Sequence, residues 1–141
     1  MNPFTGQMPF VLYGAAALQL GVAVLNLFLF RILRWKNELA RMPLLLSEVI
    51  QVHTWFISIT LAIFGVLTWR FALQMASKTD PICRWLAACI AFFWGARTIL
   101  QVTYYSSSHW RGKRGRTFIH GLCLMIYGSL ALIYLWAAMG L

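Results

Sequence analysis

Four long apolar segments, separated by short polar links, dominate this chain. They cover about residues 9–33, 43–69, 82–105 and 118–140. Each is long enough to cross a bilayer as an α-helix, which takes about 20 residues. The pattern therefore predicts an all-α integral membrane protein, a bundle of four transmembrane helices that forms a single domain over residues 1–141.

The first segment predicts a retained transmembrane helix rather than a cleaved signal peptide. No Lys or Arg precedes it, and the first basic residue, Arg31, stands at its far end. A secretory signal peptide has the opposite arrangement, with a positively charged region before the apolar one. The third segment carries small residues at a spacing of four, Ala87, Ala91 and Gly95, which allow a neighbouring helix to approach closely.

Composition agrees with the membrane class. Hydrophobic residues make up 61% of the chain and charged residues 11%, against about 25% charged residues in soluble domains. The net charge of +9 would suggest nucleic acid in a soluble protein. Here the basic residues lie almost entirely between the apolar segments, where orientation signals belong, so no nucleic-acid partner is predicted.

The distribution of basic residues predicts the orientation. The first link, with Arg31, carries four basic residues, the third link four, and the second link, with Arg84, three. The positive-inside rule then places the first and third links in the cytoplasm and both termini on the non-cytoplasmic side. These links also predict contact with anionic lipid, and they fit a bacterial inner membrane.

Polar residues inside the segments define a candidate site. A charged side chain at the centre of a transmembrane helix costs roughly 2.5–3.5 kcal/mol on insertion scales, and such residues commonly mark functional sites. With helices running in alternate directions, several polar residues fall in the cytoplasmic half of the bundle, and most share one stripe on their helix. They are Glu48, Gln51, Arg97, Gln101, Tyr104 and His120, with His53 on another face of its helix.

These residues predict a binding or accessory subunit. In this hypothesis Arg97 and Glu48 supply the charges, and Gln51, Gln101, Tyr104 and His120 supply hydrogen bonds. The ligand is then an amphiphilic or acidic one, such as a lipid headgroup or a quinone, or else a helix of a partner membrane subunit. A simpler interpretation is an ion pair between Glu48 and Arg97 that holds the second and third helices in register.

Two other classes of function remain open. His53 and His120 could ligate haem b from two helices, although His120 is predicted nearer the cytoplasmic end. Alternatively, the chain is a small membrane enzyme with Glu48 or His120 as acid or base, but no catalytic set is recognisable. A metal site is not predicted, since Glu48 is the only acidic residue in the four segments and the three cysteines lack metal-binding spacing.

Overall fold

The computed structural model describes the backbone of residues 6–32, 37, 40–104 and 114–139. It describes their side chains as well, except those of residues 29–32, 114 and 116. Of the eight basic residues in the first and third links, only Arg41 has a described side chain, so the anionic-lipid contact predicted for these links lies outside the described residues.

The described part of the chain is all-helical. Its helices are α1 (Met8–Ile32), α2 (Leu44–Ser77), α3 (Pro81–Thr103) and α4 (Arg114–Met139). Each contains a stretch long and apolar enough to cross a membrane. This confirms the predicted all-α fold with four helices of transmembrane length. The predicted location of the termini stays a prediction.

Helix α2 is longer than predicted. We expected a link from residue 70, but the helix continues to Ser77, with one non-helical residue at Phe71 (φ −110°, ψ 15°). The charge of Arg70 ends the apolar run without ending the helix, because the Ala, Leu, Gln and Met residues that follow are good helix formers. Lys78 ends it by adopting a positive φ of 58°, and its N–H donates to the Gln74 carbonyl at 3.2 Å.

Helix α3 has a well-defined start. The carboxylate of Asp80 accepts a hydrogen bond from the Ile82 N–H at 2.8 Å, which satisfies one of the unpaired donors of the first turn. Pro81 occupies the first turn, where its missing N–H costs no hydrogen bond. The connection between α2 and α3 is thereby reduced to residues 78–80.

The outward surfaces of the helices are apolar. Phe92 is 79% exposed, Phe10 76% and Met125 73%. Large hydrophobic residues are exposed along all four helices. A soluble monomer seldom exposes such contiguous apolar surface, whereas lipid tails solvate it.

By its internal contacts the chain divides into two compact units. The α1–α2 unit comprises residues 12–70, and the α3–α4 unit comprises residues 71–141 with residues 1–11. In the α3–α4 unit the two helices pack along their length. The packed side chains include Ala87, Ile90, Trp94, Leu130 and Tyr134. A single domain over the whole chain stays a prediction.

The α1–α2 unit is held by a polar contact and a close backbone approach. Asn26 Nδ2 donates to Ser58 Oγ at 2.8 Å and to the Thr54 carbonyl at 3.1 Å. Further along, a Cβ placed on Gly65 would lie 2.8 Å from Leu20 Cγ and 3.2 Å from the Ala16 carbonyl oxygen. Without a large hydrophobic driving force between helices in lipid, such close packing and hydrogen bonding hold them together.

We expect Gly65→Ala to destabilise the protein by about 1–3 kcal/mol, because the added methyl group overpacks the contact with Leu20. The thermal unfolding midpoint in detergent micelles, followed by tryptophan fluorescence, measures the change. Gly121→Ala is the matched control, since a Cβ there meets nothing within 4 Å. Leu20→Ala should restore part of the loss in the double variant. Equal midpoints for Gly65→Ala and wild type would contradict the close approach.

Candidate functional site

The candidate site lies on α3 and α4, whose antiparallel register is set by contacts along both helices. At one end Arg84 Nε donates to the Ala138 carbonyl at 3.2 Å. At the other end Gln101 Nε2 donates to His120 Nδ1 at 3.0 Å. Arg84 and Gln101 are separated by about 26 Å along the helix axis, close to the thickness of the hydrocarbon core, which is about 30 Å.

An aromatic pair holds the arginine of the site. The rings of Trp94 and Tyr127 stack with their centroids 5.3 Å apart and an interplanar angle of 26°. Trp94 is almost fully buried, so it supports Tyr127 from the interior of the unit. The other partner of Tyr127 is Arg97, whose Cζ lies 5.2 Å from the ring centroid. This cation–π contact stabilises the guanidinium in a low-dielectric setting without neutralising its charge.

One turn further along α3, the site contains an unsatisfied acceptor. Gln101 is only 5% exposed, and its Nε2 is used by His120. Its Oε1 is buried and has no hydrogen-bond partner among the described residues. An unpaired buried carbonyl costs about 1–3 kcal/mol, which favours a hydrogen-bond donor beside it. We refer to Trp94, Arg97, Gln101, His120 and Tyr127 as the Arg97 site.

The Arg97 site has no counter-charge within its unit. Asp80 is the only acidic residue of the α3–α4 unit, and it lies about 26 Å from Arg97 along the axis of α3. The carboxylate of Asp80 is moreover used to cap that helix. A guanidinium is effectively always protonated, so Arg97 carries a positive charge that no acidic residue of its unit neutralises.

The structure brings some of the predicted site residues together. Arg97, Gln101 and His120 lie on the facing parts of α3 and α4, as described above. Tyr104, in contrast, ends α3 and is 84% exposed, so the predicted hydrogen-bonding role of Tyr104 inside the bundle has no support here. Helix α3 continues to Thr103, and Tyr104 caps it with its N–H donating to the Leu100 carbonyl at 3.0 Å. The role of Tyr104 stays a prediction.

The remaining predicted site residues belong to the α1–α2 unit. Glu48, Gln51 and His53 are all exposed on α2, and Gln51 Nε2 donates to Ser47 Oγ within that helix at 3.3 Å. The pairing of Glu48 with Arg97 therefore stays a prediction. The haem hypothesis for His53 and His120 and the acid–base hypothesis for Glu48 or His120 also stay predictions.

The length of α2 bears on the depth at which Glu48 would lie in a membrane. The helix has 34 residues and measures about 51 Å, well beyond the hydrocarbon thickness of about 30 Å. The part between Glu48 and Arg70 alone spans roughly 32 Å. Placing these two residues at opposite membrane boundaries would let α2 cross a bilayer without putting the carboxylate in hydrocarbon. The assignment of Glu48 to the site stays a prediction.

Sequence reasoning missed the part that Trp94 and Tyr127 play in the site. Both stand in apolar segments, where an aromatic residue ordinarily indicates packing. One signal was available, because Trp94 and Arg97 are three residues apart and so share a helix face. The stacking of Trp94 on a ring of α4 depends on the register of the two helices, which the sequence does not display.

The described residues limit the kinds of ligand that the chain could bind. Among the described residues, no three His, Cys, Asp or Glu side chains form a group that could hold a metal ion.

No family model matches the chain, and no curated protein or solved structure shows significant similarity to it.

We expect Tyr127→Ala to lower stability by about 2–3 kcal/mol, because it removes packing against Trp94 together with the contact to Arg97. Tyr127→Phe keeps the ring and should retain most of that stability. Thermal unfolding in detergent measures the difference. Met125→Ala, at an exposed position of α4, is the control. A loss as large in Met125→Ala would show that the aromatic pair has no special role.

Proposed function

We propose that this chain is an integral membrane protein that acts as a binding or accessory subunit, and that its Arg97 site binds the acidic headgroup of an amphiphile. One observation carries the proposal: Arg97, one turn before Gln101 in a helix of transmembrane length, has no acidic partner in its unit. Ionisable residues within such helices are costly, and they commonly mark ligand sites.

The membrane location is supported by the outward faces of the helices. Exposed phenylalanine, leucine, isoleucine and methionine side chains cover all four, and each helix contains a stretch of sufficient length and hydropathy. The basic first and third links favour the cytoplasm, so both termini lie on the non-cytoplasmic side in this proposal. A bacterial inner membrane fits this arrangement.

The chemistry of the site favours an acidic ligand over a neutral one. A guanidinium presents a planar fork of N–H donors that matches phosphate or carboxylate, and Tyr127 holds the group on one face only. A quinone carbonyl could accept a hydrogen bond from Arg97, but it would leave the positive charge uncompensated. A headgroup phosphate or carboxylate supplies both the acceptor and the charge.

The buried oxygen of Gln101 adds a second requirement. Gln101 follows Arg97 by four residues and so lies on the same face of α3. Its Oε1 has no partner among the described residues and needs a donor. A headgroup with a hydroxyl group next to its phosphate would satisfy both Arg97 and Gln101. This pairing of an acid and a donor is typical of glycerophospholipids. An acidic side chain on a partner helix would compensate the charge of Arg97 but would offer no donor to Gln101.

We expect Arg97→Gln to purify from its native membrane with one acidic amphiphile fewer per chain than wild type, since the substitution removes the charge and the fork of donors. Native mass spectrometry, followed by lipid extraction, counts and identifies the adducts. Arg97→Lys keeps the charge and should retain part of the occupancy.

Arg70→Gln is the matched control, because it removes the same charge from an exposed position of α2 and should leave the adducts unchanged. The same number of acidic adducts in Arg97→Gln as in wild type would refute the proposed function. So would a neutral quinone that remains bound to both proteins as the sole adduct.

A further inference from the structure

A second feature of the α3–α4 unit lies at the end opposite the Arg97 site. It is an open groove of about 300 Å³ lined by Pro81, Arg84, Trp85, Ala88 and Ala138. We call it the Arg84 groove. Ala88 and Ala138 leave the space between the two helices unfilled because neither side chain extends beyond Cβ.

Arg84 is fixed in position at the rim of this groove. Its Nε donates to the Ala138 carbonyl at 3.2 Å, one of the last carbonyls of α4, which have no partner within the helix. The guanidinium also carries two terminal amino groups, and their donors remain for an acceptor in the groove. The nearest acid in the sequence, Asp80, is engaged in capping α3.

The level of the groove in the membrane follows from the helices. Arg84 lies about 26 Å along α3 from Gln101, so a bilayer that surrounds the unit has one boundary near each of them. Trp85, next to Arg84, is 74% exposed, and tryptophan favours the headgroup level of a bilayer. Lipid phosphates are present at this level.

The charge at this end favours an anionic lipid. Lys78 lies close by, with its Nζ 5.4 Å from the centroid of the Trp136 ring. Lys78 and Arg84 together outweigh Asp80, the one acidic residue of the unit. We infer that the Arg84 groove binds an anionic phospholipid, with its phosphate on Arg84 and an acyl chain lying along Ala88.

This site is separate from the Arg97 site in position, in residues and in the leaflet that supplies the lipid. It does not depend on the proposed function. The two claims can therefore fail independently, and one set of variants distinguishes them.

The test is a titration of the detergent-solubilised protein with phosphatidylglycerol, read by native mass spectrometry. It is run in wild type and in Arg97→Gln, so that lipid at the Arg97 site is removed in the second protein. We expect one phosphatidylglycerol per chain to remain in Arg97→Gln. Arg84→Gln in that background should weaken this binding at least fivefold, and phosphatidylcholine should bind more weakly than phosphatidylglycerol.

Filling the groove gives a second, independent variant. Ala88→Leu should weaken binding by a similar factor while Arg84 stays intact. The matched control is Cys89→Leu, which adds bulk at the neighbouring exposed position and should bind lipid as wild type does. Thermal midpoints of all variants report on folding, and Ala88→Leu decides the matter if Arg84→Gln unfolds.

Three results would overturn the inference. One is unchanged binding in both Arg84→Gln and Ala88→Leu. Another is the loss of all bound lipid in Arg97→Gln alone, which would leave the proposed function standing without the groove. The third is displacement of the lipid by inorganic phosphate at equal concentration, which would identify a site for free phosphate. Retention in Arg97→Gln with loss in Arg84→Gln supports the groove.

Discussion

The antiparallel contact between α3 and α4 is the interaction on which the candidate chemistry depends. In lipid the hydrophobic effect does not drive one apolar helix against another, so specific side-chain contacts have to fix the register. Here the Arg84–Ala138 hydrogen bond lies at one end and the Gln101–His120 hydrogen bond at the other. The ring of Tyr127 reaches Trp94 and Arg97 only in this register. A shift of one helical turn, about 5.4 Å, would separate all of these groups.

The polar groups of this unit illustrate two ways of accommodating a charge near lipid. Arg84 lies near a helix end, where it donates to a terminal carbonyl. Arg97 lies deeper, beside an aromatic ring that lowers the energy of the cation but leaves its charge in place. The first arrangement gives the guanidinium a hydrogen bond within its own unit. The second leaves a charge unbalanced within its unit, which is why Arg97 rather than Arg84 carries the argument for function.

Much of the fold could be predicted from the sequence, because hydrocarbon demands long apolar helices and such runs are visible directly. The end of α2 could not be predicted, because a single charged residue such as Arg70 ends an apolar run without breaking the backbone hydrogen bonds of the helix. Only part of the candidate site could be predicted from the sequence. Arg97, Gln101 and His120 were identified as polar residues in apolar runs, whereas Tyr127 was assigned only to a stripe of α4. Its contact with Arg97 depends on the relative rotation of two helices, which hydropathy does not encode.

The turn between α2 and α3 has a practical consequence for mapping membrane sidedness. Epitope tags and reporter fusions are usually tolerated at exposed loop tips, and residues 78–80 are a short link that an experimenter would choose. Yet Lys78 has a left-handed backbone conformation and contacts Trp136. The hydroxyl groups of Ser77 and Thr79 are hydrogen-bonded at 3.0 Å, and Asp80 caps α3. An inserted peptide would disrupt all of these together, so a reporter placed there would report on a damaged protein.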